Sequence, residues 1–219
     1  MKFKAILFDC DGVLVDSEPL TCQVLRDMLA ESGWDMTLAA CMAFFVGKTV
    51  REERAVIERN TGQPLTDAWM QHFYQRRNAA LMAHLDIIPG AQEAVRAAFT
   101  AVRGHIACAS GADRLKVEMQ LNKVGLTDFF AGRVFSGHEM PRSKPAPDVY
   151  LAAARSLNVP AEQCLVIEDT TVGVTAGIAA GATVWAYCPQ PGAAPALLQA
   201  GAHRVFTHMA DLPGWWATA

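Results

Sequence analysis

The sequence has no excess of basic residues, since 19 lysines and arginines stand against 22 aspartates and glutamates, for a formal net charge of −3. A chain without a basic face is not expected to bind nucleic acid. No apolar run approaches the ~20 residues needed to cross a bilayer, and the run before Asp9 is too short for the apolar region of a signal peptide. These absences predict a cytoplasmic protein without a membrane partner, and they leave its oligomeric state open.

Paired cysteine motifs are also absent, because none of the six cysteines forms a Cys-x-x-Cys pair or has metal-ligand spacing. Three of them, Cys10, Cys108 and Cys164, lie in or beside apolar runs that predict buried strands. A thiol in such a place behaves as a small apolar side chain. The cysteines are therefore predicted to be structural.

The chain divides into two patterns. Residues 17–86 contain only helical stretches, whereas the flanking segments, residues 1–16 and 87–219, alternate short apolar strands with helices. Such alternation predicts an α/β fold with a doubly wound parallel sheet, into which an all-helical domain is inserted. The strands are predicted at residues 5–8, 105–109, 133–136, 164–167, 182–186 and 203–206, and the inserted helices at 18–33, 36–45, 50–60 and 68–84.

Two carboxylates follow the first strand. Asp9 and Asp11 are two residues apart, so on an extended backbone both side chains point the same way, and Gly12 allows a sharp turn directly after them. One interpretation is a polar strand end that caps the next helix through Asp16 or Ser17. The other is a cation site, because a divalent cation would remove the repulsion between the two carboxylates.

Polar residues also follow other predicted strands. Ser110 and Gly111 come after the second strand, Glu168 and Asp169 come after the fourth, and Lys144 lies in a sharp turn before a helix. Ligands of open parallel sheets bind at the carboxyl ends of the strands. The alternatives are an ordinary helix N-cap for Ser110 and a solvated surface position for Lys144.

In combination these motifs resemble the haloacid dehalogenase-like hydrolase superfamily over essentially the whole chain. The matching segments are Phe-Asp-Cys-Asp-Gly-Val-Leu-Val-Asp-Ser-Glu (8–18), the strand-end Ser110, Lys-Pro-Ala-Pro-Asp (144–148) and Ile-Glu-Asp-Thr (167–170). The resemblance implies a Rossmann-like core with a helical cap domain. It also implies Mg²⁺, held by the side chains of Asp9 and Asp169 and the backbone carbonyl of Asp11, with Glu168 in the same shell or acting through water.

The same resemblance assigns roles to the remaining residues. Asp9 would be the nucleophile that forms an aspartyl-phosphate, and Asp11 the general acid and base. Ser110 and Gly111 would hold the phosphoryl oxygens, and Lys144 would neutralise their charge. Lys48 and Arg51 lie in a segment that resembles the specificity loop of such caps. They are candidate substrate contacts, and the alternative for Arg51 is the solvated face of a helix.

The resemblance favours a phosphatase that acts on a small phosphorylated metabolite. The second aspartate, Asp11, argues against the dehalogenases and phosphonate-cleaving members of the superfamily. Residues 135–137, 142–144, 206–208 and 212–213 look most like sugar-phosphate phosphatases, including those for 6-phosphogluconate. A β-phosphoglucomutase-type transfer is the alternative, although Thr21 stands where those mutases carry histidine. A phospho-accepting receiver domain is the alternative from another class, but such domains lack the Asp-x-Asp pair and the helical insert.

Overall fold

The computed structural model describes residues 2–218, which form two compact units. One unit runs to Val15 and resumes at Ile87, and the other comprises Asp16–Asp86. The boundaries lie within one residue of those expected from the change in pattern.

The unit Asp16–Asp86 is helical. Its helices are α1 (Glu18–Glu31), α2 (Leu38–Phe45), α3 (Arg54–Thr61) and α4 (Asp67–His84). Helix α1 packs against α2 and α4 around a core of cysteine, leucine, methionine and phenylalanine side chains. Thr66 caps α4, because its hydroxyl accepts a hydrogen bond from the backbone N–H of Trp69 at 3.1 Å.

Helix α3 begins four residues later than the sequence pattern predicts. At its expected start, the backbone N–H of Glu52 donates to the Thr49 hydroxyl at 3.3 Å, and the Glu52 carboxylate accepts from the backbone N–H of Thr49 at 3.2 Å. These reciprocal side-chain bonds stabilise a turn that competes with the helix.

The other unit is built on a six-stranded parallel sheet in the order β3-β2-β1-β4-β5-β6, which confirms the doubly wound fold. Strands β1, β2 and β4 are buried along their whole length, as expected when helices cover both faces of a sheet. The strands are β1 (Ala5–Phe8), β2 (Ile106–Ser110), β3 (Val134–Ser136), β4 (Cys164–Glu168), β5 (Thr183–Tyr187) and β6 (Arg204–Phe206).

Seven helices accompany the sheet in the described residues, and two of them were not predicted from the sequence. They are α5 (Ala91–Ala101), α6 (Arg114–Lys123), α7 (Thr127–Phe130), α8 (Asp148–Ser156), α9 (Thr171–Ala179), α10 (Ala194–Gln199) and α11 (Leu212–Thr218). The unpredicted ones are α7 and α11. Leu212 and Trp216 of α11 are buried, so tertiary packing stabilises a segment whose Pro-Gly pair disfavours a helix. Among residues 2–218, no helix combines the length and the apolar character that spanning a membrane requires.

Candidate active site

The polar residues predicted from the strand ends lie at one edge of the sheet. Asp9 directly follows β1, Ser110 is the last residue of β2, and Glu168 is the last residue of β4. Strand β1 lies between β2 and β4, with Phe8 opposite Ile167 in β4. This is where the strand order reverses, and open α/β sheets bind their ligands at that point.

Lys144 lies at the centre of this cluster and contacts two of its carboxylates. Its ammonium nitrogen lies 2.6 Å from Asp9 Oδ1 and 2.7 Å from Glu168 Oε1, and it also contacts the carbonyl oxygen of Ala109 at 3.0 Å and the hydroxyl of Tyr150 at 2.9 Å. Its side chain is 8% exposed, so the interpretation of a solvated surface lysine is wrong. Burial opposes its charge, but Asp9 and Glu168 outweigh burial and raise the pKa of Lys144 well above its usual value.

Glu168 accepts five hydrogen bonds. Its Oε1 accepts from Lys144 and from the hydroxyl of Tyr150 at 2.8 Å, while its Oε2 accepts from the backbone N–H groups of Asp169 and Thr170 and from the Thr170 hydroxyl. Burial by itself would raise the pKa of Glu168, but Lys144 and these hydrogen bonds outweigh it and lower the pKa. Glu168 is therefore an ionised, firmly held carboxylate.

Asp9, Glu168 and Asp169 form an acidic cluster. One carboxylate oxygen from each lies within 4.8 Å of the other two. Burial raises the pKa of Asp9 to about 7; Lys144 opposes this rise, whereas Glu168 and Asp11 add to it. An octahedral Mg²⁺ with bonds of 2.0–2.1 Å would place its ligand oxygens about 3–4 Å apart. The all-oxygen donor set therefore suits a hard divalent cation, whose binding would draw these oxygens from within 4.8 Å of one another to this closer spacing.

Two glycines make room for the acidic side chains. A Cβ at Gly12, whose φ is +75°, would overlap the Asp169 carboxylate, and a Cβ at Gly173 would overlap the Glu168 carboxylate. Gly12 also has the left-handed backbone conformation that glycine adopts readily. The Asp-x-Asp-Gly turn thus leaves space for Asp169 beside the strand end.

Ser110 ends β2, and Gly111 begins the turn that follows it. The Ser110 hydroxyl accepts a hydrogen bond from the backbone N–H of Ala112 at 3.1 Å. The N-cap of α6 is Asp113, which accepts from the backbone N–H of Lys116 at 2.9 Å. Ser110 is therefore not a helix N-cap, and α6 begins two residues later than predicted. A Cβ at Gly111 would meet no atom within 4 Å.

Three residues of the site were not predicted from the sequence. Tyr150 contacts both Lys144 and Glu168, as described above. Lys116 and Gln120 of α6 donate hydrogen bonds to Asp11 Oδ1, with distances of 2.7 Å from Lys116 Nζ and 2.9 Å from Gln120 Nε2. The buried cysteine between the two aspartates, Cys10, donates through its thiol to Gln120 Oε1 at 3.6 Å.

The two candidate substrate contacts, Lys48 and Arg51, belong to the helical unit. Lys48 Nζ lies 3.2 Å from Glu53 and 4.1 Å from the centroid of the Phe44 ring. Arg51 donates to Asp67 at 3.0 Å. Arg51 precedes α3, so it does not lie on the face of that helix. Both side chains are partly exposed, at 43% and 48%, and their role as substrate contacts stays a prediction.

Comparison with known proteins identifies the family. The sequence model of the haloacid dehalogenase-like hydrolase family matches residues 3–181. The chain is 29% identical to a 6-phosphogluconate phosphatase of Escherichia coli K12, over 98% of this chain and 95% of that protein. It is 28% identical to fructose-1-phosphate phosphatase YqaB of the same organism, over 82% and 94% of the two chains.

A solved structure agrees with these relatives. A haloacid dehalogenase family hydrolase from Deinococcus radiodurans R1, with bound phosphate and sodium, superposes with a TM-score of 0.80 at 35% identity, covering 99% of this chain and 96% of that one. The chain is accordingly a hydrolase of phosphoric monoesters and belongs to the haloacid dehalogenase-like hydrolase family.

Proposed function

We propose that the protein is a Mg²⁺-dependent phosphatase that hydrolyses a small phosphorylated sugar or sugar acid through an aspartyl-phosphate at Asp9. The observation that carries this proposal is the Asp9–Lys144 pair at 2.6 Å, placed at the strand-order reversal beside Glu168 and Asp169. A buried ammonium fixes the orientation of the nucleophilic carboxylate and offers positive charge to an incoming phosphoryl group.

In the first step, a carboxylate oxygen of Asp9 attacks phosphorus and the bond from phosphorus to the ester oxygen breaks. Asp11 gives its proton to the departing oxygen. In the second step, Asp11 takes a proton from water, the water oxygen attacks phosphorus, and the bond between phosphorus and Asp9 breaks to release inorganic phosphate. Ser110 and Gly111 would hold the phosphoryl oxygens during both steps.

The side chains of Asp9 and Asp169, with the backbone carbonyl of Asp11, would hold the Mg²⁺. When bound, the ion neutralises charge on the phosphoryl oxygens. Glu168 would act in the same shell or through water, and its hydrogen bonds to Lys144, Tyr150 and the backbone would hold its carboxylate in place.

The substrate proposal rests on the relatives. The two named phosphatases act, by their names, on 6-phosphogluconate and fructose 1-phosphate, so 6-phosphogluconate is the first substrate to test here. Thr21, on α1, stands where β-phosphoglucomutases carry histidine, and this departure favours hydrolysis over transfer to a second sugar hydroxyl. Lys48 and Arg51 are proposed to contribute to the choice among substrates.

The test is phosphate release from a panel of sugar and sugar-acid phosphates, with Mg²⁺ and after its removal by a chelator. We expect many turnovers per protein, dependence on Mg²⁺, oxygen from solvent water in the released phosphate, and no activity in Asp9→Asn. Faster conversion of β-glucose 1-phosphate into glucose 6-phosphate than release of phosphate would instead identify a mutase. Phosphorylation that stops after one equivalent would point to a receiver-like domain.

A further inference from the structure

Helix α6 directs two polar side chains at Asp11. Lys116 and Gln120 are four residues apart, so they lie on the same face of the helix. Both donate to the same carboxylate oxygen, Asp11 Oδ1, at 2.7 Å and 2.9 Å. The Asp113 N-cap fixes the start of the helix and therefore the position of Lys116 in its first turn.

These contacts are buried. The Lys116 side chain is 8% exposed, and the Gln120 side chain is completely buried. A lysine on the solvated face of a helix would keep its ammonium in water, because burying an ammonium is unfavourable unless it is paired. The pairing with Asp11 is therefore a specific feature of the site rather than a surface ion pair.

The Gln120 amide contacts Cys10 as well as Asp11. The Cys10 thiol donates to Gln120 Oε1 at 3.6 Å, and the same orientation of the amide directs its nitrogen towards Asp11. A flipped amide would place its oxygen against the Asp11 carboxylate and leave the thiol without that acceptor. The hydrogen bonds thus run in one direction, from the Cys10 thiol through the Gln120 amide to the Asp11 carboxylate.

We propose that Lys116 and Gln120 are positioning residues that hold the Asp11 carboxylate where it exchanges protons with the leaving oxygen and with water. This inference rests on the proposed role of Asp11. Each aspartate of the Asp-x-Asp pair then has its own lysine: Lys144 holds the nucleophile Asp9, and Lys116 holds Asp11. Because α6 supplies the second lysine, the two carboxylates are held independently.

The test separates the two chemical steps with p-nitrophenyl phosphate in rapid-mixing experiments. Its leaving group departs without a proton, so the first turnover needs Asp11 little, whereas the later hydrolysis needs Asp11 to activate water. In Lys116→Met we expect the first-turnover rate constant to change by less than about threefold. We expect the steady-state rate to fall by about tenfold to 10²-fold, as misplacement of a catalytic group by about 1 Å does.

With an alkyl phosphate, whose leaving group needs a proton, both rates should fall in Lys116→Met. On an Asp11→Asn background the same substitution should cause no further loss, because the residue through which Lys116 acts is already missing. Gln120→Met leaves the charges of the site unchanged, and it should show the same difference between the first-turnover and steady-state rates. It therefore serves as the test if Lys116→Met does not fold.

The matched control is Lys123→Met, a change at an exposed position of the same helix, which should leave both rates unchanged. With p-nitrophenyl phosphate, equal loss of the first-turnover and steady-state rates in both α6 variants would overturn the positioning role, as would an additive loss on the Asp11→Asn background. If the single variant Asp11→Asn keeps its steady-state activity, the proposed role of Asp11 is wrong. The positioning role of Lys116 and Gln120 is then wrong as well.

Discussion

Replacement of Gly173 by alanine tests the rigidity of the acidic site. Gly173 is the third residue of α9, and alanine in a helix is favoured over glycine by up to about 1 kcal/mol. Helix propensity alone therefore predicts a more stable protein. The structure predicts the opposite, because the new Cβ would overlap both oxygens of the Glu168 carboxylate.

A carboxylate at the end of a flexible side chain ordinarily moves aside at little cost. Glu168 is 1% exposed and accepts five hydrogen bonds, and hydrogen bonds to charged groups contribute about 1.5–3 kcal/mol each. The loss of two of them would cost about 3–6 kcal/mol, which exceeds the gain in propensity. We expect Gly173→Ala to lower the free energy of unfolding by about 2–5 kcal/mol.

The assay is thermal unfolding, where 1 kcal/mol corresponds to about 2–4 °C for a chain of this size. Gly214→Ala is the matched control, because Gly214 also lies in a helix, α11, and a Cβ there meets no atom within 4 Å. Its Tm should rise by a few degrees, as about 1 kcal/mol of propensity gives, while that of Gly173→Ala falls by about 5 °C or more. A Tm of Gly173→Ala that equals or exceeds the Tm of Gly214→Ala would refute the reasoning.

Three further predictions concern individual side chains. Lys144→Met should reduce kcat by about 10²–10³-fold, the loss typical of a deleted electrostatic stabiliser; a near-normal steady-state rate would contradict this role. Tyr150→Phe removes one of the five hydrogen bonds to Glu168 and should lower the free energy of unfolding in urea by about 1.5–3 kcal/mol, whereas an unchanged value would mean that this bond contributes nothing. Lys48→Ala and Arg51→Ala should change the ranking of sugar phosphates more than the rate on p-nitrophenyl phosphate, and a uniform loss on all substrates would argue against a specificity role.

The buried strands and the residues that follow them could be predicted from the sequence. A parallel strand that is covered on both faces is a nearly unbroken apolar run, so its end is marked by the first charged residue. Asp9 and Glu168 lie at such ends, and the order of strands and helices then places both at one edge of the sheet. Lys144 lies in a loop, and only its motif distinguished it from a surface lysine.

The residues missed from the sequence lie on helices. Lys116 and Gln120 of α6 alternate with the buried Val117 and Leu121, so the whole helix face is covered, but a lysine in a helix is usually solvated. Tyr150 in α8 has the spacing of an ordinary core residue. Its hydroxyl gains a role only because Glu168 and Lys144 approach it from two other segments. Contacts between distant segments depend on tertiary packing, which the periodicity of a single sequence does not describe.

The contacts of Lys144 also have a consequence for local stability. One ammonium reaches a carbonyl in β2, the residue after β1 and the last residue of β4, so it links the ends of three adjacent strands. Fraying of any one of these ends would break a charged contact as well as ladder hydrogen bonds. Their amide protons should therefore exchange with solvent at rates set by opening of the whole sheet. Because Lys144 links these strand ends, the site would not adapt to a new substrate by loosening them. A change in substrate preference would have to arise from residues away from the strand ends.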